Sequence, residues 1–237
     1  MNNVKFKIPL KFYFEGITAN PNPIDESHYS FINDLNAIFK IGTKVYKPDE
    51  KENYSYDVNE LLFIGEKFID YDIKLAAKCN LSSIGDRNKI VYSNEVKLSF
   101  SNIVNMISER EVDILTKEEL ISKVVINYLT YKHFKNKGYI LKDGLKFGVD
   151  FVMYKADPQI SHSLYCILIC NFNNDNQNDY NEVLVDGKKY KVKLRKINWK
   201  QITALSRLCE AVSKKLLLVN YNFENNSVEN VQISRFK

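Results

Sequence analysis

The stretch KFGVDFVMYKADPQISHSLYCILIC, residues 146–170, carries two apolar runs separated by one polar turn. In the first run, 148–155, Val149, Phe151 and Met153 alternate with Asp150, Val152 and Tyr154, which is the period of a strand. The second run, 163–170, is apolar on both faces, as a central strand covered by helices on both sides must be. Asp157-Pro158 marks the turn between them. Tyr154 ends the first strand and His162 opens the second. A strand–loop–strand of this size brings its ends together, so the two side chains can flank one small ligand. Taken singly, a strand tyrosine is an ordinary packing residue and a lone histidine an ordinary surface or core residue.

Downstream, Val183-Leu-Val185, Asp186-Gly187 and KKYKVKLR (188–195) read as a hairpin. Lys189, Lys191, Lys193 and Arg195 alternate there with Tyr190, Val192 and Leu194, so one face carries four cations in a row. Such a row is either a solvated strand face or a polyanion contact. A helix is expected over 199–214, with Ile202, Leu205, Cys209, Val212 and Leu216 as its buried stripe. Arg207 and Lys214, seven residues apart, then share the opposite face, with Lys214 ending the helix. Strands at 215–221 and 228–235 finish the chain, and the last is apolar enough to seek a partner along its edge.

Upstream, Thr116-Lys-Glu-Glu119 is a capping box for a helix running to about Asn136 and stopping at Gly138. Residues 139–148 read as two turns, around Asp143-Gly144 and Phe147-Gly148. Further back, 4–14 reads as a strand interrupted by Pro9. Pro21, Pro23 and Asp25 open a helix containing Phe31, Leu35, Ile38 and Phe39 that closes before Gly42. Residues 43–60 read as loop, and 99–108 as a short helix capped by Ser99. This divides the chain into an α+β support and assembly domain, 1–115, and a second domain, 116–237, that holds the candidate chemistry. The class is α/β overall.

Charge follows the same division. The formal net charge is +5, but residues 1–116 carry −3 and residues 117–237 carry +8. A basic second half suits a polyanionic partner. The cysteines, Cys79, Cys166, Cys170 and Cys209, form no CxxC, and the histidines are His28, His133 and His162. That composition argues against a zinc site, and two of the thiols lie in an apolar strand run as small hydrophobes would. No apolar run reaches 18 residues and no signal-peptide core opens the chain, so an intracellular protein without a membrane span is expected.

Taken together, KFGVDFVMY, DP, a histidine eight residues after the tyrosine, the helix ALSRLCEAV and then SKKLLL resemble the tRNA-intron endonuclease family. The resemblance covers about residues 100–237. Within the family, INWKQITALSRLCEAVSKKLLL and the closing VQISRF look like the eukaryotic catalytic subunit that cuts the 5′ splice site. The resemblance implies a restriction-endonuclease-like mixed sheet in the second domain and metal-independent cleavage of precursor tRNA. Tyr154 would take the 2′-hydroxyl proton, His162 would protonate the leaving 5′-oxygen, and Lys214 would balance charge on phosphorus. The products would be a 2′,3′-cyclic phosphate and a 5′-hydroxyl. It implies no cofactor, no metal, other subunits of a heteromeric complex, and a nuclear location, with the cytoplasm or the mitochondrial surface as alternatives. It also implies that Arg207 and Phe236 clamp a flipped-out intron base, with Phe236 standing where relatives tend to carry tryptophan. Lys189, Lys191 and Lys193 are candidate RNA contacts. The competing readings are a non-catalytic assembly subunit of the same complex, a plain RNA-binding module using the lysine row, and a metal-dependent DNA nuclease.

Overall fold

The computed structural model describes residues 6, 8–15, 18–45, 53–79, 91–92, 95–108, 116–172 and 180–234. The chain forms two compact units, Met1–Glu111 and Val112–Lys237.

In the first unit the order is β1 (Leu10–Glu15), β2 (Thr18–Asn22), α1 (Glu26–Ala37), β3 (Thr43–Val45), β4 (Asn53–Asp57), α2 (Val58–Lys67), β5 (Ile73–Cys79), β6 (Val91–Tyr92), β7 (Val96–Lys97) and α3 (Phe100–Ser108). The sheet runs β3-β4-β2-β1-β5-β6, and β7 also pairs with β5. Strand β1 begins just after Pro9 and buries Leu10, Phe12 and Phe14 completely, the alternation expected of it. Val4, assigned to this strand from sequence, lies outside the described residues. Asp25 caps α1 by accepting from the His28 N–H (3.0 Å). Phe31 meets Phe6, Phe68 and Tyr71 with ring centroids 4.9–5.4 Å apart.

Two expectations fail in this unit. Ile38 does not join the core; it caps the end of α1 and is 62% exposed. Residues 43–60 are not simply loop, because β3, β4 and the start of α2 lie there. In β4 Tyr54 and Tyr56 are buried on one face. Asp57 and Glu60 then cap α2 reciprocally: the Glu60 N–H donates to Asp57 (2.9 Å) and the Asp57 N–H to Glu60 (3.1 Å).

The second unit contains α4 (Lys117–Asn136), β8 (Ile140–Asp143), a 3-10 turn (Leu145–Phe147), β9 (Phe151–Tyr154), β10 (Tyr165–Ile169), β11 (Asn181–Val185), β12 (Lys188–Val192), α5 (Trp199–Ala211), β13 (Lys215–Asn222) and β14 (Ser227–Ile233). Its main sheet runs β14-β13-β10-β9-β8, mixed, with β10 and β13 parallel and the other pairs antiparallel. The central position of β10 is the one its two-sided apolar sequence predicts. On one face, Val152, Cys166, Leu168, Leu216 and Leu218 pack with Ile202 and Cys209 of α5. On the other, Phe151 meets Tyr131 of α4, ring centroids 6.2 Å apart. The chain is therefore α/β, with a mixed sheet between helices in this unit.

The Thr116 capping box holds α4, which ends at Asn136 ahead of Gly138 (φ +84°). The hairpin β11–β12 turns at Asp186 (φ +50°) and Gly187 (φ +73°), both left-handed, as a two-residue hairpin requires. Residues 139–148 depart from the two-turn expectation. Ile140–Asp143 pairs with β9 as the edge strand β8, and only 144–148 is turn. Among the described residues, no helix is long and apolar enough to cross a membrane.

Candidate active site

Three strand ends meet at one edge of the main sheet. The Leu164 N–H donates to the Met153 carbonyl (2.9 Å), and the Lys215 N–H donates to the Leu164 carbonyl (3.0 Å). In register, Tyr165 lies between Met153 of β9 and Lys215 of β13. Tyr154 closes β9, His162 stands three residues before β10, and Lys214 directly precedes β13. The Lys214 ammonium donates to the carbonyl of Ser163, the residue after His162 (3.4 Å). The same ammonium sits 5.4 Å from the centroid of the Phe147 ring. Tyr154 is half-buried and packs against the α5-side core, whereas His162 is exposed.

The segment between Tyr154 and His162 is tied to itself. Asp157 accepts from the Gln159 N–H through its side chain (3.0 Å). Its carbonyl accepts from the Ile160 and Ser161 N–H groups (3.1 and 2.9 Å) and from the Ser161 hydroxyl (2.8 Å). An Asx turn of this kind is the local chemistry that Asp-Pro signals.

Lys214 reaches the site by a route that the sequence did not predict. Helix α5 stops at Ala211, and Ser213 adopts φ +56°. The Ser213 N–H donates to the Glu210 carbonyl (3.0 Å) and the Lys214 N–H to the Cys209 carbonyl (2.8 Å), a Schellman cap. Lys214 is therefore in the extended segment leading into β13. It does not share a helical face with Arg207, and Val212 leaves the buried stripe at 41% exposure. Ser206 takes a buried place in that stripe instead.

Phe147 is the site neighbour that sequence reasoning missed, having placed it only in a glycine turn. The turn is closed by bonds from the Phe147 N–H to the Gly144 carbonyl (2.8 Å) and from the Gly148 N–H to the Leu145 carbonyl (3.0 Å). The signal was the DGLKFG spacing, a phenylalanine clamped between two glycines immediately before the tyrosine-bearing strand.

The candidate RNA contacts scatter. Lys189, Lys191 and Lys193 are exposed and opposite in facing to the buried Tyr190, Val192 and Leu194. Lys189 pairs with Glu182 (3.0 Å), and Lys193 lies 5.6 Å from the centroid of the Tyr180 ring. Arg195 does not extend the row. Its guanidinium binds Asp150, and its Nε donates to the Ile169 carbonyl (2.7 Å). Asp150 also accepts from the Ile169 N–H (2.7 Å). Burial pushes the Asp150 carboxyl above its ordinary value, although the Arg195 charge opposes the shift. Arg207 is exposed on α5, and Phe236 lies outside the described residues. Cys166, Cys170 and Cys209 are buried free thiols. Among the described residues, no group of three or more His, Cys, Asp or Glu is placed to hold a metal ion.

Residues 124–229 match the family model described as tRNA intron endonuclease, catalytic C-terminal domain. The mouse tRNA-splicing endonuclease subunit Sen2 is 36% identical over 92 residues, 38% of this chain and 17% of the mouse protein. The Arabidopsis thaliana subunit Sen2-1 is 29% identical over 120 residues, 50% of this chain and 43% of the plant protein. A tRNA-splicing endonuclease of the archaeon Saccharolobus islandicus is 25% identical over 148 residues, 62% of this chain and 66% of that protein. The aligned stretches thus span only part of each relative, and the residues that the family model matches lie in the unit whose sheet brings together the strand ends at Tyr154, Ser163 and Lys214. Within this second unit, residues 124–229 are thus similar to the catalytic C-terminal domain of tRNA-intron endonucleases, a match over less than half of the chain.

Proposed function

We propose that this chain is the catalytic subunit of a tRNA-splicing endonuclease that cuts precursor tRNA at the 5′ splice site without a metal ion. The observation that carries the proposal is the meeting of the ends of β9, β10 and β13. There the Lys214 ammonium is bonded to the carbonyl beside His162, and Tyr154 closes the strand paired alongside. A phenol, an imidazole and an ammonium at one sheet edge supply a proton acceptor, a proton donor and a fixed cation.

In the proposed reaction Tyr154, as the phenolate, takes the proton from the 2′-hydroxyl of the nucleotide before the cut. The 2′-oxygen forms a bond to the adjacent phosphorus while the bond from phosphorus to the 5′-oxygen breaks. His162, as the imidazolium, gives its proton to that departing oxygen. Lys214 balances the charge that builds on the non-bridging oxygens. The products are a 2′,3′-cyclic phosphate and a 5′-hydroxyl. Lys189, Lys191, Lys193 and Arg207, all exposed, are proposed to meet the RNA. Strand β14 is an edge whose Val231 is 45% exposed, which supports pairing with another subunit of a heteromeric complex.

The test is His162→Ala in the full chain, purified with the subunits that accompany it and assayed on authentic precursor tRNA. Loss of a general acid lowers the cleavage rate about 10²- to 10⁴-fold, with the subunit composition unchanged. Full 5′ cutting by the variant, or wild-type cutting that EDTA stops or that leaves 3′-hydroxyl ends, would refute the proposal.

A further inference from the structure

We infer that Phe147 is a positioning residue for Lys214, its ring face holding the ammonium where the three strand ends meet; this rests on the function proposed above. Lysine carries a point charge on a flexible four-carbon stem, so a lysine that must meet a developing charge needs something to fix it. Among the described residues no carboxylate pairs with the Lys214 ammonium. It donates to the Ser163 carbonyl at 3.4 Å and lies 5.4 Å from the centroid of the Phe147 ring, within cation–π range. The choice of partners matters chemically. A carboxylate would fix the ammonium and cancel its charge. A neutral carbonyl and a π-face fix it and leave the whole charge free to act on a phosphate.

The turn is built to present that ring. A Cβ on Gly144 would lie 2.8 Å from both the Phe151 nitrogen and the Val149 carbonyl oxygen, so only glycine lets the chain fold back this tightly. Gly148 adopts φ +68°, and Leu205 of α5 stands 3.5 Å from where its Cβ would be. Phe147, between them, packs against the α5-side core. The ring is thus fixed by its own turn and by the helix beside it, independently of Lys214.

The experiment replaces Phe147 in the full chain with phenylalanines carrying one, two and then three ring fluorines, which weaken the π-face while nearly keeping its shape. Single-turnover cleavage by the assembled enzyme is expected to fall stepwise, by about two- to thirtyfold across the series. Substrate affinity and melting temperature should stay constant, Phe147→Tyr should retain activity, and Phe147→Leu should match the most fluorinated protein. A flat rate across the series, in an enzyme that Lys214→Ala inactivates, overturns the inference and leaves the proposed function standing. Normal cleavage by Lys214→Ala would instead overturn the proposed function, and the role of Phe147 with it.

Discussion

The two ends of strand β10 use charge in opposite ways. At the Ile169 end, Asp150 accepts from a backbone N–H and from Arg195, and Arg195 donates to the Ile169 carbonyl. Cation and anion come from different segments and close on each other, so that end of the sheet is locked. At the Ser163 end, His162 is exposed, and the Lys214 ammonium is met by a carbonyl and a ring, with no opposing charge among the described residues. One strand therefore separates charge spent on holding the fold from charge kept available for a ligand. The contrast predicts that substitutions at the first end cost stability and spare the chemistry, whereas His162→Ala does the reverse.

The substitution with the largest expected cost in stability touches both ends. The Gly144 N–H donates to the Asp150 carbonyl (3.2 Å), and the Gly144 carbonyl accepts from the Phe147 N–H. Its φ of −102° is ordinary, so space and not conformation requires glycine here. In Gly144→Ala the new methyl meets backbone atoms of Val149 and Phe151, which cannot swing aside as a flexible side chain could. Overpacking of this kind costs about 3 kcal/mol. A shift of the urea midpoint accompanied by loss of cleavage is expected. A stable, inactive Gly144→Ala would mean that the turn serves only the Lys214 end.

Arg195→Ala isolates the other end. It leaves a buried carboxylate without its cation, at a cost of about 2–3 kcal/mol near neutral pH, taken low because the Arg195 side chain is 47% exposed. The pH dependence has a definite sign. Burial already raises the Asp150 carboxyl above its unfolded value, so the native state binds this proton more tightly than the unfolded chain. Stability from this group is full below the unfolded value and declines as pH rises through the raised one. Removing the guanidinium raises the carboxyl further and carries that decline to higher pH. The Arg195→Ala penalty should therefore shrink on acidification, and Asp150→Asn in the same chain should recover much of it at pH 7. Urea titrations at pH 7 and at mildly acidic pH measure both. An equal penalty at the two values would mean that the pair is not the lock described here.

What the sequence revealed and what it hid separate along physical lines. The β10 run, the Thr116 capping box and the Asp186-Gly187 hairpin are local signals, and each element stands where its residues predict. The segment 43–60 was hidden because Tyr54 and Tyr56 alternate with Asn, Ser and Asp, so a buried strand face looked like polar loop. The same stretch ends in the capping pair Asp57 and Glu60, which the polar reading also passed over. The end of α5 misled for another reason. Val212 and Leu216 continue the helical period by coincidence, while the real stop is a left-handed serine, a position where glycine is the usual marker. Phe147 against Lys214 joins residues 67 positions apart through the packing of a turn beside a strand start, and no local pattern encodes that.

The smallest expected effect tests whether the β12 lysine row belongs with the locked or the available charges. Lys189 has Glu182 as partner and Lys193 has the Tyr180 ring, while Lys191 is exposed and faces Glu182 across the hairpin. Exposed pairs on such a face contribute about 0–1 kcal/mol, so Lys191→Gln should leave the melting temperature unchanged. If the row meets the RNA backbone, the variant should bind precursor tRNA a few-fold more weakly. The logarithm of affinity should also fall less steeply with the logarithm of salt concentration, by a slope of about one. Cleavage at saturating substrate should not change, because the lysine touches no reacting atom. An unaltered salt slope would make the row an ordinary solvated strand face and leave the Ser163 end of β10 as the place where this unit keeps its charge available.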